Sequence, residues 1–208
     1  MNYLFSIIIG YFLGSIPTAY LILKINNGID ITQYGTGNVG AMNSYEVSNS
    51  KIIGFLVLII DALKGLLSVY LVILIFHGDF TLPAISLMFA VLSHCFNPWL
   101  NFKGGRGLAT SFGGTILIFP VLPIIWILFW SISYFLNKEI ILSNLISTVL
   151  SLIIVSISHN MILRYSFPHA DSISTVLFFS IALLIIIFIK HIDPLNELIR
   201  NHKTKEKR

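Results

Sequence analysis

The sequence predicts an all-α integral membrane protein, a bundle of about seven transmembrane helices forming one domain over residues 1–208. Composition and patterning lead there. Hydrophobic residues make up 56% of the chain and charged ones 11%, with a mean hydropathy of +0.88, a balance suited to lipid and not to water. The apolar residues fall in six long runs, at about 3–25, 52–77, 82–100, 108–136, 139–163 and 172–190, leaving no stretch for a separate soluble domain. The fourth run exceeds the roughly 20 residues of an ordinary span. Pro120 and Pro123 at its centre are expected to divide it.

Charge supports that division. Lys24, Lys51, Lys103 and Arg106 belong inside by the positive-inside rule, and the Gly78-Asp79 turn, free of Lys and Arg, belongs outside. The C-terminal tail, about 195–208, carries Arg200, Lys203, Lys205, Lys207 and Arg208 and should also lie inside, against anionic lipid and not nucleic acid. Returning inside after Arg106 needs an even number of crossings, which the split run supplies. The N-terminus is then outside, and the first run, lacking a basic leader and a small-residue cleavage site, is expected to be a retained helix. Cys95 is the single cysteine, so no intrachain disulfide or zinc-ligand spacing exists.

In chain order, the first run is interrupted by Gly14-Ser15-Ile16-Pro17-Thr18. Proline removes a backbone donor, and Ser15 or Thr18 can serve the freed carbonyl. From Asn26 to Ser50 the chain turns polar. Gly35, Gly37 and Gly40 formally spell G-x-G-x-x-G, but no flanking strand or later acidic residue supports a dinucleotide fold. Those glycines, with Thr36, Asn38 and Asn43, suit a neutral loop whose amides and hydroxyls cradle a phosphate.

Run two places Asp61 about 14 Å along its helix from Ile52, and Lys64 follows at i+3 on the same face. Burying each charge costs about 2.5–3.5 kcal/mol on insertion scales. Either the two form an internal salt bridge, or Asp61 orients Lys64 toward a polar cavity. Run three ends at His94, which could simply bond a carbonyl, and leads into Lys103-Gly104-Gly105-Arg106-Gly107. Three glycines in four residues expose amides to an anion, and Arg106 beside Lys103 adds fixed charge suited to bidentate phosphate contact. Run six ends with His191 and Asn196, expected at the same inner interface.

Together, Gly14-Ser15-Ile16-Pro17, the loop from Gly35 to Asn43, Asp61 with Lys64-Gly65, His94-Cys95-Phe96 and the stretch Phe102 to Thr110 resemble the PlsY family of bacterial membrane acyltransferases. The similarity runs from about residue 5 to 192. It implies transfer of a fatty acyl group from acyl phosphate to the 1-hydroxyl of glycerol 3-phosphate, in the bacterial plasma membrane, with no metal, cofactor or carrier protein. It places chemistry on Thr36, Asn38, Arg106 and His191. Substrate binding falls to Gly35, Gly37, Gly40, Asn43, Lys64, His94, Lys103, Gly104, Gly105, Gly107 and Asn196.

Four departures from the family pattern stand out. Glu46 occupies a position where the family has arginine, and Arg106 one where it has lysine. Pro194 replaces an asparagine, with Asn196 two residues on, and Asn97 is an addition between Phe96 and Pro98. Lys51 or Lys64 could replace the missing cation. Three alternatives stay open: an acyltransferase with another acceptor, a non-catalytic relative that binds acyl phosphate, and, less well matched, a small transporter without an inverted repeat.

Overall fold

The computed structural model describes residues 1–158 and 163–205, with side chains through residue 200. The side chains of Lys203 and Lys205, and all of Lys207 and Arg208, therefore lie outside the described residues. Helices α1 (Asn2–Gly14), α2 (Thr18–Asn27), α3 (Ala41–Ser48), α4 (Lys51–Phe76), α5 (Thr81–Cys95), α6 (Leu108–Ile118), α7 (Val121–Asn137), α8 (Ile140–Ile157) and α9 (Ile173–Lys205) make up the fold, with single 3-10 turns at Ile31–Gln33 and Pro98–Leu100. The stretch Asn2–Asn27, α4, α8 and Ile173–Arg200 are each long and apolar enough to cross a membrane. Helices α5, α6 and α7 are shorter and pack among them. With α1 and α2 as one interrupted passage, the described residues hold seven apolar passages, α3 lying apart as a short helix.

The interruption of the first passage has a physical cause. Helix α1 stops at Gly14, because Pro17 cannot donate to the preceding turn. Ser15 Oγ donates to Phe12 O at 2.8 Å, as the sequence suggests, whereas Thr18 Oγ1 finds no partner among the described residues. The remaining free carbonyls are served from other helices. Lys64 Nζ donates to Ile16 O at 3.1 Å, and Asn97 Nδ2 to Ser15 O at 2.8 Å. Irregular backbone at this depth is stable only when such partners exist.

Run four divides where its prolines predict: α6 ends at Ile118 and α7 begins at Val121. Pro194, by contrast, does not end the last helix, which continues through it to Lys205. Small residues set the closest helix contacts. A Cβ on Gly10 or Gly14 would collide with the backbone of Ser86 or Ala90 on α5, and one on Gly65 or Gly113 would collide across the α4–α6 contact.

The main apolar core lies among α4, α5, α6 and α9, around Val69, Leu87, Val91, Ile118 and Leu183. At one end of the bundle Phe80 meets Phe179 edge to face at 5.4 Å, Phe167 N donates to Ile118 O at 2.8 Å, and Asp79 meets Asp171. The glycine loops gather elsewhere, with the turn after α7.

Candidate active site

Two loops build the site, and each is shaped by an internal partner. In the first, Gly35 and Gly37 take φ of +59° and +68°, values open to glycine at no steric cost. Asn43, buried at the start of α3, organises the turn: its Oδ1 accepts from Thr36 N at 3.0 Å, and its Nδ2 donates to Tyr34 O and Asn38 O at 3.1 and 3.0 Å. Gly37 N donates to Tyr34 O, and Asn38 N to Thr36 Oγ1. The amides expected to cradle an anion here are thus spent on the loop itself. What the loop offers outward is the Thr36 hydroxyl and the Asn38 carboxamide. Gly35 and Gly40 shape the turn and line neither of the two cavities beside it.

The second loop rests on His94. Gly105 N donates to His94 O at 3.1 Å, and the imidazole lies where a Gly105 Cβ would have to go. Behind it, Asp61 Oδ1 sits 2.9 Å from Lys64 Nζ and 3.9 Å from His94 Nδ1, all three side chains buried. The sequence allowed Lys64 to face substrate; instead it is turned into the helix break at Ile16. Lys64 and His94 therefore support the loop from beneath, with Ile16 O and Asp61 as their partners, and line neither of the two cavities that flank the loops. The two loops are joined by Val39 N donating to Gly104 O at 3.4 Å.

Two cavities flank that junction. The first, about 390 Å³, is lined by Thr32, Thr36, Gly37, Asn38, Phe102, Lys103, Gly104, Arg106, Lys190, Asp193, Pro194 and Glu197. The second, about 250 Å³, is lined by Thr36, Asn38, Met42, Asn43, Glu46, Arg106, Lys138, Glu139, Ile140 and Ile141. Thr36, Asn38 and Arg106 belong to both and form their common wall. Burial pulls the Arg106 pKa below its ordinary value, while Glu46 and Glu197 oppose that shift; guanidinium nevertheless stays charged. Lys190 Nζ lies 4.9 Å above the Phe96 ring at the edge of the first cavity.

A third space is narrow and apolar. It runs between α6, α7 and α9 from Leu108 past Leu122 and Trp126 to Ile187. Arg106 lines the first cavity and Leu108 the groove, and Lys190 and Ile187 do the same one turn apart on α9, so the two spaces approach each other on either side of Gly107.

The chain has relatives in sequence and in fold. The chain fits the family model described as glycerol-3-phosphate acyltransferase over residues 4–201. The chain belongs to the glycerol-3-phosphate acyltransferase family. A glycerol-3-phosphate acyltransferase of Ehrlichia canis is 32% identical across 99% of this chain and all of its own length. One from Helicobacter pylori (strain ATCC 700392 / 26695) is 38% identical over 71% of this chain and 67% of its own. Two crystal structures of the integral membrane acyltransferase PlsY superpose well, at 27% identity. The glycerol 3-phosphate form gives a TM-score of 0.79 over 97% of this chain and 94% of that one, and the lysophosphatidic acid form gives 0.78 over 97% and 93%.

In this acyltransferase, two more expected residues join Gly35, Gly40, Lys64, His94, Gly105 and Gly107 in lining neither cavity. His191 is buried with both ring nitrogens engaged: Nδ1 donates to Ile187 O at 2.8 Å, which leaves Nε2 to accept from Asn144 Nδ2 at 3.2 Å. Trp130 Nε1 in turn donates to Asn144 Oδ1 at 2.8 Å, so His191 clamps α9 to α7 and α8 and lines neither cavity. Asn196 is exposed and lines neither; α9 continues through Pro194, and Lys190, Asp193, Pro194 and Glu197 are its residues that reach the first cavity.

The structure also brings to these cavities and their surroundings residues that motif reading passed over. Lys138, on the α7–α8 turn, is the cation of the second cavity besides Arg106, whereas Lys51 and Lys64 line neither. Its signal in the sequence was the positive-inside rule applied to the split fourth run, which puts the Lys138-Glu139 turn at the face of the glycine loops. Asn97, an apparent insertion, caps the Pro98–Leu100 turn through Trp99 N at 3.0 Å while holding Ser15.

Proposed function

We propose that this acyltransferase moves a fatty acyl group from acyl phosphate to the 1-hydroxyl of glycerol 3-phosphate, releasing inorganic phosphate and lysophosphatidic acid for phospholipid synthesis. The observation that carries the reading is the pair of cavities with one shared wall. Two phosphate-bearing substrates need two anion sites whose reacting ends meet, and Thr36, Asn38 and Arg106 stand at that meeting point.

The donor phosphate occupies the first cavity, held by Lys103, Arg106 and Lys190 with the Gly104 backbone, and its chain enters the apolar groove beyond Gly107. Glycerol 3-phosphate occupies the second cavity, with Lys138 and Arg106 toward its phosphate. The acceptor hydroxyl oxygen attacks the acyl carbon, a new ester C–O bond forms, and the bond from the acyl carbon to the phosphate oxygen breaks. Arg106, Thr36 and Asn38 donate to charge that builds on the carbonyl oxygen and the departing phosphate. The hydroxyl proton leaves on phosphate, since His191 is committed elsewhere and no histidine lines the cavities. His191 and Lys64 act by positioning. The reaction runs at the cytoplasmic face, with the N-terminus outside and the whole chain acting as one domain.

Purified protein in detergent, given palmitoyl phosphate with and without glycerol 3-phosphate, tests this. Phosphate release that requires glycerol 3-phosphate and yields lysophosphatidic acid by mass is expected. Release independent of the acceptor would mean hydrolysis or another acceptor, and binding without release would mean a non-catalytic relative.

A further inference from the structure

The groove that begins at Leu108 is apolar apart from two hydroxyls, and they are not equivalent. Thr115 Oγ1 donates to Ser111 O at 2.7 Å and is spent within α6. Ser111 Oγ has no partner among the described residues, although Ser111 is only 5% exposed and lines the groove. A helical serine in apolar surroundings ordinarily donates back to the carbonyl four residues earlier. Here that carbonyl, Gly107 O, receives the Ser111 backbone amide at 2.9 Å and no side-chain bond. A buried hydroxyl left unpaired costs free energy, which a ligand atom can return.

The position of Ser111 defines which ligand atom that is. Ser111 lies one helical turn beyond Gly107, and Gly107 stands between Arg106 of the first cavity and Leu108 of the groove. A single-chain amphiphile with its phosphate among Lys103, Arg106 and Lys190 has its first carbons at this neck. The rest of the chain runs on toward Phe112 and Ile127, apolar residues whose exposure opens the groove to lipid. In an acyl phosphate the group at the first carbon is a carbonyl, an acceptor without a hydrogen, which is what an unpaired hydroxyl donor complements.

We infer that the Ser111 hydroxyl donates a hydrogen bond to the acyl carbonyl of the donor, setting the depth at which the chain seats and holding the carbonyl toward Thr36 and Asn38. The inference rests on the proposed donor, and it adds a residue that reads acyl against alkyl chemistry.

The test separates the two by using binding as well as turnover. Wild-type protein and Ser111→Ala are compared for displacement of a fluorescent lipid phosphate by hexadecyl phosphate, which lacks the carbonyl, and by a non-transferable palmitoyl phosphonate, which keeps it. One neutral hydrogen bond corresponds to about three- to tenfold in affinity. Ser111→Ala should weaken the acyl ligand by about that factor and leave the alkyl ligand unchanged, and Ser111→Thr should restore the difference. Equal weakening of both ligands, or of neither, overturns the inference. Failure of wild-type protein to transfer acyl groups, with acyl-selective binding intact, would sink the proposed reaction and leave the Ser111 assignment standing. Binding of neither ligand by wild type would overturn both.

Discussion

Glu46 and Lys138 are where this chain's second cavity acquires its character. Both line it beside Arg106, and Glu46 is exposed, so its field on an incoming phosphate is partly screened. Exchanging an exposed like charge for an opposite one changes an interaction of about 0.2–1 kcal/mol in each sense, roughly two- to thirtyfold in affinity for the swap. Glu46→Arg should therefore lower the KM for glycerol 3-phosphate by about that factor and leave the KM for acyl phosphate unmoved. Lys138→Gln should raise the same KM. Steady-state kinetics with each substrate varied in turn reads both, and an unchanged acceptor KM in both variants would remove these residues from the acceptor site.

At the scale of elements, the helices and the two glycine loops were legible because each has a local cause. Apolar runs longer than 18 residues, Pro17 and Pro120 as breakers, and Gly35, Gly37 and Gly107 at positive φ all act within a few residues of themselves. The direction in which long side chains turn was not legible. Lys64 sits at the right depth to face a cavity, yet it donates to Ile16 O in a helix break 48 positions earlier in sequence, a pairing only the fold creates. His191 was similarly drawn inward by Asn144, a residue without any motif. Asn43, read as a phosphate donor, had nearer customers in its own loop.

The buried Asp61–Lys64 pair thus belongs to the α1–α4 contact, and its energetics are those of a pair whose partners cannot be removed singly. Asp61→Asn leaves the Lys64 ammonium buried with only Ile16 O nearby and should destabilise the folded protein by about 3–5 kcal/mol. The double change Asp61→Asn with Lys64→Met removes the stranded charge and should recover part of that loss, seen as a higher unfolding midpoint in detergent. A double variant as unstable as the sum of its singles would show that the two do not act as a pair.

The whole molecule imposes a stricter condition than any one site: everything proposed to touch phosphate must emerge on one face. The loop before α3, the loop before α6, the α7–α8 turn and the region of α9 around Asp193 to Glu197 meet around the two cavities. Asp79 and Asp171 meet at another end. With an odd number of passages this is self-consistent only if α6 and α7 each cross once, so that the turn holding Lys138 returns to the loops. Cys95 is the single cysteine and is buried, so engineered thiols can be read almost without background. On intact cells, a membrane-impermeant maleimide should label Asp79→Cys directly and Lys138→Cys only after permeabilisation, because positively charged turns are retained inside. Labelling of both from the same side would mean that α6 and α7 form a re-entrant pair, and the second cavity would then lose the turn that supplies its cation.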